Sequence, residues 1–151
     1  MKKFFLFRIA GVMAMVVCSF LGQAQLSGTY TFEAEQYIKG IYGKDIQPRW
    51  SITPENILRA EFEFEDENIS LFFNRENEHL ATTRPVTFQQ LPPLARARVK
   101  EKLSWFNPTS IIHFISDLVD AYFMEGYDGD KKQIWKVDPN GQIERFNRTP
   151  Y

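Results

Sequence analysis

The stretch RAEFEFEDENISLFFN, residues 59–74, decides the fold class of this chain. Its first half alternates apolar and acidic residues, which is the period of a strand with one buried and one solvated face. The apolar residues are Ala60, Phe62 and Phe64, and the acidic residues are Glu61, Glu63 and Glu65. Asp66-Glu67 predicts a turn, and the second half repeats the alternation through Ile69, Leu71 and Phe73. The stretch therefore predicts an antiparallel hairpin whose glutamates face solvent.

The same arrangement occurs twice in the chain. After a turn at residues 74–78, the first copy ends in the short segment LATT, residues 80–83. The second copy consists of DAYFMEGY (120–127), KQIWKV (132–137), a turn at 138–141 and IERF (143–146). Each copy predicts a three-stranded antiparallel meander, which buries one face and is marginally stable alone. Two copies joined by a helix predict an α+β protein, in which tandem helix-plus-meander units form one open sheet covered by helices on one face.

The clearest helix begins at Leu91-Pro92-Pro93, because proline is tolerated in the first turn of a helix. Apolar residues then recur at helical spacing. They are Leu91, Leu94, Ala95, Val99, Leu103 and Phe106. Asn107-Pro108 ends the helix, since the residue before a proline disfavours helical geometry. Residues 25–45 fit either a helix or a strand through residues 26–32, and residues 110–119 also fit either structure.

The first residues have the layout of a secretory signal. A basic start, Met1-Lys2-Lys3, precedes an apolar run from Ile9 to Leu21 and small residues that place cleavage after Ala24. The run of about thirteen residues is too short for a membrane span, which needs roughly twenty. A lipoprotein would carry its lipid at Cys18, where Val17 replaces the expected small residue. We therefore expect a signal over residues 1–24, no membrane insertion after its cleavage, and a periplasmic or extracellular protein.

Residues 25–151 are long enough for a single domain with a hydrophobic core, which we divide into two repeats at about 30–88 and 89–147. The signal contains three basic residues and no acidic one, so the exported part keeps 15 of the 18 basic residues against all 19 acidic ones. A mildly acidic chain without a basic run excludes nucleic acid and anionic membranes as expected partners. Cys18 leaves with the signal, so packing alone must hold the exported protein together.

Residues 61–146 resemble the PepSY-like, beta-lactamase-inhibitor-like family of exported bacterial proteins. The resemblance rests on Trp50, AEFEFEDENISLFFNRENEHLATT, FQQLPPLARARVKEKL and YFMEGYDGDKKQIWKVDPNGQIERF. Leu91-Pro92 matches the start of the family's second helix, and Asp138-Pro139-Asn140-Gly141 matches its Asp-x-x-Gly turn. The first helix matches poorly, because no proline opens it. The resemblance implies a strand near residues 111–115 and a protein-binding or peptide-binding role outside the cytoplasm, sometimes an inhibitory one.

The sequence shows no residues arranged for catalysis, for a metal or for a cofactor. His79 and His113 lie in different copies, and neither has a second histidine or a cysteine at metal-ligand spacing. Asp128-Gly129-Asp130 lacks the downstream acidic ligand of a calcium loop and predicts a tight hairpin turn instead. The glutamate row of the first copy has no acidic partner across a cleft, as paired-carboxylate chemistry requires. We therefore predict that the protein is not an enzyme and holds no cofactor.

Side chains on the face opposite the predicted core are the candidate partner-binding residues. In the second copy Phe123 and Trp135 are taken as core, which places their neighbours along each strand on the outer face. Aromatic residues and methionine beside a basic residue are typical of recognition surfaces. The predicted partner-binding residues are Phe72, Tyr122, Met124, Ile134 and Lys136. A register error of one residue would move every side chain of a strand to the other face.

Two functions are compatible with these patterns. The first is an exported non-enzymatic protein that docks a protein or peptide on its open sheet face. The second is a lipocalin-like carrier of an apolar small molecule, since Leu26-Ser27-Gly28-Thr29-Tyr30 resembles the entry strand of such barrels. The helix at residues 91–106 fits a barrel badly, which favours the first function.

The exported protein is expected to begin at Gln25, because the small residues before it form the cleavage site. N-terminal sequencing of the protein recovered outside the cytoplasm checks this expectation. A mature protein that begins at a lipid-modified Cys18 would establish the lipoprotein alternative instead.

Overall fold

The computed structural model describes residues 31–147 of the chain. The predicted export signal and its cleavage site after Ala24 lie outside the described residues. The chain divides into two compact units, with the boundary between Thr82 and Thr83. None of the described helices is long and apolar enough to cross a membrane.

The first unit is a helix followed by a meander of strands. Its elements are α1 (Phe32–Tyr42), β1 (Arg49–Ile52), β2 (Leu58–Phe64), β3 (Glu67–Phe73) and β4 (His79–Pro85), the last of which contains the unit boundary. Consecutive strands are hydrogen-bonded neighbours, and β2 pairs antiparallel with both β1 and β3. The helical interpretation of residues 25–45 is confirmed over α1, whereas most of its strand alternative lies outside the described residues. Strand β1, which contains Trp50, adds to the predicted three-stranded meander.

Helix α1 covers one face of the strands in the first unit. Its fully buried residues, Ala34 and Ile38, are one helical turn apart and lie against alternate residues of β2 and β3. The strand residues of this cluster are Leu58, Ala60, Phe62, Ile69, Leu71 and Phe73. Pairing places Ala60 opposite Leu71, as expected for two strands that share a buried face. The predicted apolar face of residues 59–74 is therefore confirmed, and Glu63 is exposed on the opposite face.

The second unit is also a helix followed by strands. Its elements are a 3₁₀ turn (Phe88–Gln90), α2 (Pro93–Lys102), β5 (Pro108–Ile115), β6 (Asp120–Asp128), β7 (Lys131–Val137) and β8 (Ile143–Arg145). Strands β5 to β8 pair antiparallel in chain order. A capping box between Thr87 and Gln90 holds the 3₁₀ turn that leads into α2. Of the two interpretations of residues 110–119, the strand is confirmed over β5.

Helix α2 covers one face of β5–β8. Buried residues recur every four positions along the helix and its flanks, so they form a single stripe. The stripe consists of Leu91, Ala95, Val99 and Leu103, and it packs on Ile111, Tyr122, Met124 and Val137. Leu94, which was expected in the stripe, is 52% exposed, because it lies about 100° around the helix from Ala95.

Three hairpins use the same five-residue turn. In each, a side-chain oxygen of the first residue accepts a hydrogen bond from the N–H of the fifth, and the fourth residue has a positive φ. The donor and acceptor pairs are Ile57 to Thr53 (3.1 Å), Glu78 to Asn74 (2.8 Å) and Gln142 to Asp138 (2.8 Å), and the positive φ angles are 62° at Asn56, 62° at Asn77 and 80° at Gly141. Asn and Gly tolerate this conformation best. The predicted turns at 74–78 and 138–141 are therefore confirmed.

The α+β class is confirmed, with antiparallel strands in meander order and, among residues 31–147, one covering helix in each unit. The two sequence repeats, at about 30–88 and 89–147, and their tandem arrangement over one sheet remain a prediction.

Gly126 in β6 lies where no side chain fits. A Cβ atom added there would stand 2.6 Å from Phe106 Cζ and 2.7 Å from the carbonyl oxygen of Asn107. We expect Gly126→Ala to lower the free energy of unfolding by about 1–3 kcal/mol, measured by urea denaturation.

The matched control is Gly40→Ala in α1, where an added Cβ meets no atom within 4 Å. This variant is expected to raise the free energy of unfolding by about 0.5–1 kcal/mol, because alanine favours a helix over glycine. Equal stability of Gly126→Ala and the unmodified protein would contradict the close approach of Phe106.

Candidate binding surface

The β6–β7 hairpin decides which side chains are available to a partner. Asp128 pairs with Lys131 across a two-residue turn, which confirms the tight hairpin predicted there. The same register places Met124 opposite Trp135. Because directly opposed residues share a face of the sheet, both side chains lie on the side of α2.

The predicted faces of β6 are wrong by one residue. The prediction took Phe123 and Trp135 as core, which placed Tyr122 and Met124 on the outer face. In the structure Tyr122 and Met124 are buried beneath α2, and Phe123 points the other way, opposite Lys136. Both faces of this strand are apolar and buried, so the alternation of residue types does not identify the covered face.

The other predicted partner-binding residues differ in their exposure. Ile134 and Lys136 lie on the face of β7 that points away from α2, and both are half-buried. Phe72, in the first unit, lies on the face of β3 that points away from α1 and is fully buried. Ile134 and Lys136 are therefore the accessible members of the predicted set, and their role in binding remains a prediction.

The face of β5–β8 that points away from α2 is termed the back face of the second unit. Pairing aligns Ile112, Phe123 and Lys136 in one row across three strands. The ring of Phe123 packs edge-on against Phe114 and Phe146, with centroids 6.0 and 5.3 Å away. The centre of the back face is therefore apolar and largely aromatic.

Two ion pairs border this apolar centre. Lys136 Nζ lies 2.6 Å from Glu144 Oε1, and Lys132 Nζ lies 2.8 Å from Glu125 Oε1. All four side chains belong to the back face, because their positions alternate along the strands with residues that lie beneath α2. An apolar centre with a charged rim is the composition of many protein interfaces.

In the first unit the face opposite α1 centres on Arg59. Its guanidinium lies over the ring of Phe72, 5.8 Å from the centroid, and its Nη2 donates to Glu61 Oε1 at 2.7 Å and to Ser70 Oγ at 3.2 Å. Burial lowers the pKa of Arg59, an effect that Glu61 opposes and Arg49 reinforces. Phe72 lies beneath this guanidinium and is fully buried, so its ring is not exposed for docking.

Both histidines are held by aromatic stacking within the fold. His79 stacks on Tyr37 with ring centroids 5.2 Å apart, and its Nε2 lies 2.9 Å from Thr82 Oγ1. His113 stacks on Tyr122 at 4.3 Å. Within the part of the chain that the structure describes, no group of three or more His, Cys, Asp or Glu side chains is placed to hold a metal ion.

Solved structures of proteins from Bacteroides share this fold. A DUF2874 family protein from Bacteroides ovatus is 13% identical, with a TM-score of 0.68 over 79% of this chain and 89% of that chain. A BLIP-like protein from Bacteroides fragilis is 13% identical, with a TM-score of 0.65 over 91% of this chain and 98% of that chain. A third protein, from Bacteroides eggerthii, is 12% identical, with a TM-score of 0.66 over 78% of this chain and 90% of that chain, and its name provisionally assigns it to the periplasm.

No protein-family model matches the chain, and no curated protein matches it. At identities of 12 to 14% the likeness to solved structures shows the fold alone. The BLIP-like neighbour agrees with the beta-lactamase-inhibitor-like part of the resemblance found in residues 61–146. The periplasmic name of the third neighbour fits the expected export of this chain.

The surroundings of the Tyr122 phenol raise its pKa. Burial raises its pKa above the ordinary value of 10.0, the Asp120 carboxylate raises the pKa further, and Arg84 opposes both effects. Folding therefore favours the neutral phenol. This contribution to stability is present below pH 10.0 and is lost as the pH rises through the raised pKa.

We expect Tyr122→Phe to lose less stability than the unmodified protein between about pH 9 and pH 11, because phenylalanine cannot ionise. Urea denaturation midpoints across this range provide the measurement. The control is Tyr127→Phe, since Tyr127 is 54% exposed. Parallel pH profiles for Tyr122→Phe and the unmodified protein would show that the phenol has the same pKa in the folded and unfolded chains. This result would contradict the raised pKa of Tyr122.

Proposed function

We propose that the exported part of this chain is a non-enzymatic protein that binds another protein or a peptide through the back face of its second unit. The observation that carries the proposal is the composition of that face, which has an apolar centre around Phe123 and Ile134 and two ion pairs at its border. Inhibition of the bound protein is one form that such binding takes.

The accessible groups of the back face suit a protein partner. Ile112 and Ile134 are half-buried, and the side chains of Lys136 and Glu144 are 31% and 53% exposed. The buried ring of Phe123 supports these side chains from one side. Immobilising them on binding therefore costs little additional conformational entropy. A complementary partner would present an apolar side chain to the isoleucines and charged or polar groups to the two ion pairs.

The comparisons support binding as the function. The BLIP-like neighbour covers most of this chain, and residues 61–146 resemble the beta-lactamase-inhibitor-like family. The charged groups that border the back face are paired with one another, so they are already engaged within the fold.

A lipocalin-like carrier is the alternative function, and helix packing disfavours it. In a lipocalin one face of the strands lines a cavity for the ligand. Here Ile38 of α1 and Val99 of α2 each fill the space over one face of the strands in their own unit. We expect native mass spectrometry of the purified protein to show the polypeptide alone, whereas a co-purifying small molecule would support the carrier.

The double variant Ile134→Asp with Lys136→Glu tests the proposal. It places a charge in the apolar centre and reverses a charge at the border. Both positions are half-exposed, so we expect the variant to fold. Partners are captured from the envelope fraction after mild crosslinking and are quantified by mass spectrometry. We expect recovery of the specific partner to fall at least about tenfold.

The matched control is Lys100→Glu, a charge reversal on the exposed side of α2. Circular dichroism and urea denaturation verify that all three proteins are folded. Equal partner recovery with the double variant and with the control would contradict binding through the back face.

A further inference from the structure

Two tryptophans lie beside the C-terminal end of α2, on the other side of the strands from the back face. The ring centroids of Trp105 and Trp135 are 6.2 Å apart in an edge-to-face arrangement. Trp105 is 53% exposed in the turn after the helix, and Trp135 is half-buried against the cluster beneath α2. The Nε1–H group of Trp135 is buried and has no acceptor within residues 31–147. An exposed indole beside a buried donor without an acceptor is a feature that stability alone does not explain.

Cations flank the two indoles. Arg145 lies directly opposite Trp135 in the β7–β8 ladder, so the two side chains share a face. Lys102 is exposed in the last turn of α2, three residues before Trp105. Neither cation has an ion-pair partner among the described residues, and the single acidic residue of α2, Glu101, is already paired within the helix. This surface is therefore basic, although the exported chain is acidic as a whole.

Strand β8 presents free backbone groups at the border of the same surface. It pairs with β7 on one side and, among the described residues, with no strand on the other. The N–H of Phe146 donates to the carbonyl oxygen of Ile134 at 2.8 Å, toward β7. Because hydrogen-bonding direction alternates along an antiparallel strand, the backbone groups of Arg145 point away from β7. An edge of this kind accepts an added strand from another chain.

We propose that an extended, acidic segment of a partner protein pairs with the outer edge of β8 and lays an apolar side chain on Trp105. The segment's backbone bonds to β8, and its carboxylates meet Arg145 and Lys102. The charge of the surface selects an acidic strand over a basic one. The surface lies on the helix side of the strands, so this inference is independent of the back face and of the proposed function.

A pair of synthetic peptides tests the inference on the exported protein. One peptide alternates valine with glutamate, and the other alternates valine with lysine, both with blocked ends. Binding is followed by the fluorescence of Trp105 and Trp135 and by the backbone amide NMR signals of β8. We expect the glutamate peptide to bind, to shift the amide signal of Arg145, and to bind at least about tenfold more tightly than the lysine peptide.

Variants separate the three parts of the contact. Trp105→Ala removes the exposed indole and is expected to weaken the glutamate peptide about tenfold. Arg145→Glu is expected to reverse the preference toward the lysine peptide. The control Leu118→Ala, at a loop residue that is 61% exposed, is expected to leave binding unchanged. A glutamate peptide that is N-methylated at alternate residues is expected to lose binding, because it cannot pair with β8.

Three outcomes would overturn the inference. They are equal binding of the glutamate and lysine peptides, binding of the N-methylated peptide as tight as that of the parent, or no shift of the Arg145 amide signal. Sedimentation analysis provides a fourth test. If the unmodified protein is a dimer and Trp105→Ala is a monomer, a second copy of this chain occupies the edge of β8 instead of an acidic segment. Binding through the back face is measured separately with the double variant at positions 134 and 136, so failure of either idea leaves the other intact.

Discussion

The register of the antiparallel hairpins is the constraint on which the rest of the structure depends. A two-residue turn between Asp128 and Lys131 places Met124 and Trp135 on one face, and that face alone receives α2. A shift of one residue in this pairing would place Lys136 instead of Trp135 opposite Met124 and would bury a lysine without a partner beneath the helix. Local turn geometry therefore fixes which side chains share a face, and the packing of α2 decides which face forms the core.

Each unit combines this register with one helix stripe. In the first unit Ala34 and Ile38 are fully buried, and burial of an isoleucine side chain contributes about 2 kcal/mol. On the opposite face of the same strands Arg59 lies over the buried ring of Phe72 and is itself paired with Glu61. The back face of the second unit differs, because its ion pairs stand at the border and leave Ile134 half-exposed between them. This difference is the physical reason why we locate binding in the second unit.

The two surfaces considered for binding use different chemistry. The back face offers an apolar centre whose charges are already neutralised in pairs, which suits a folded partner of complementary shape. The surface around Trp105 offers a strand edge and two cations without ion-pair partners among residues 31–147, which suits an extended segment with acidic residues. The fold is shared with a DUF2874 family protein and with a BLIP-like protein, and a shared fold leaves the choice of partner to the side chains on such surfaces.

Local sequence patterns were sufficient to predict the α+β class, the strands of residues 59–74, the helix after Leu91 and the tight turns, because these features depend on local periodicity and on a few turn residues. The strand alternation also identified the covered face of β2 and β3, where glutamates mark the solvent side. Only the tertiary structure decided the faces of β6, since Ala121 and Phe123 are as apolar and as buried as Tyr122 and Met124. The two-residue turn at Gly129-Asp130 fixes only which residues share a face, because counting pairs outward from it places Met124 opposite Trp135. Local sequence patterns could not predict the cluster of Trp105, Trp135 and Arg145. Its members come from a loop and two strands that only the folded chain brings together.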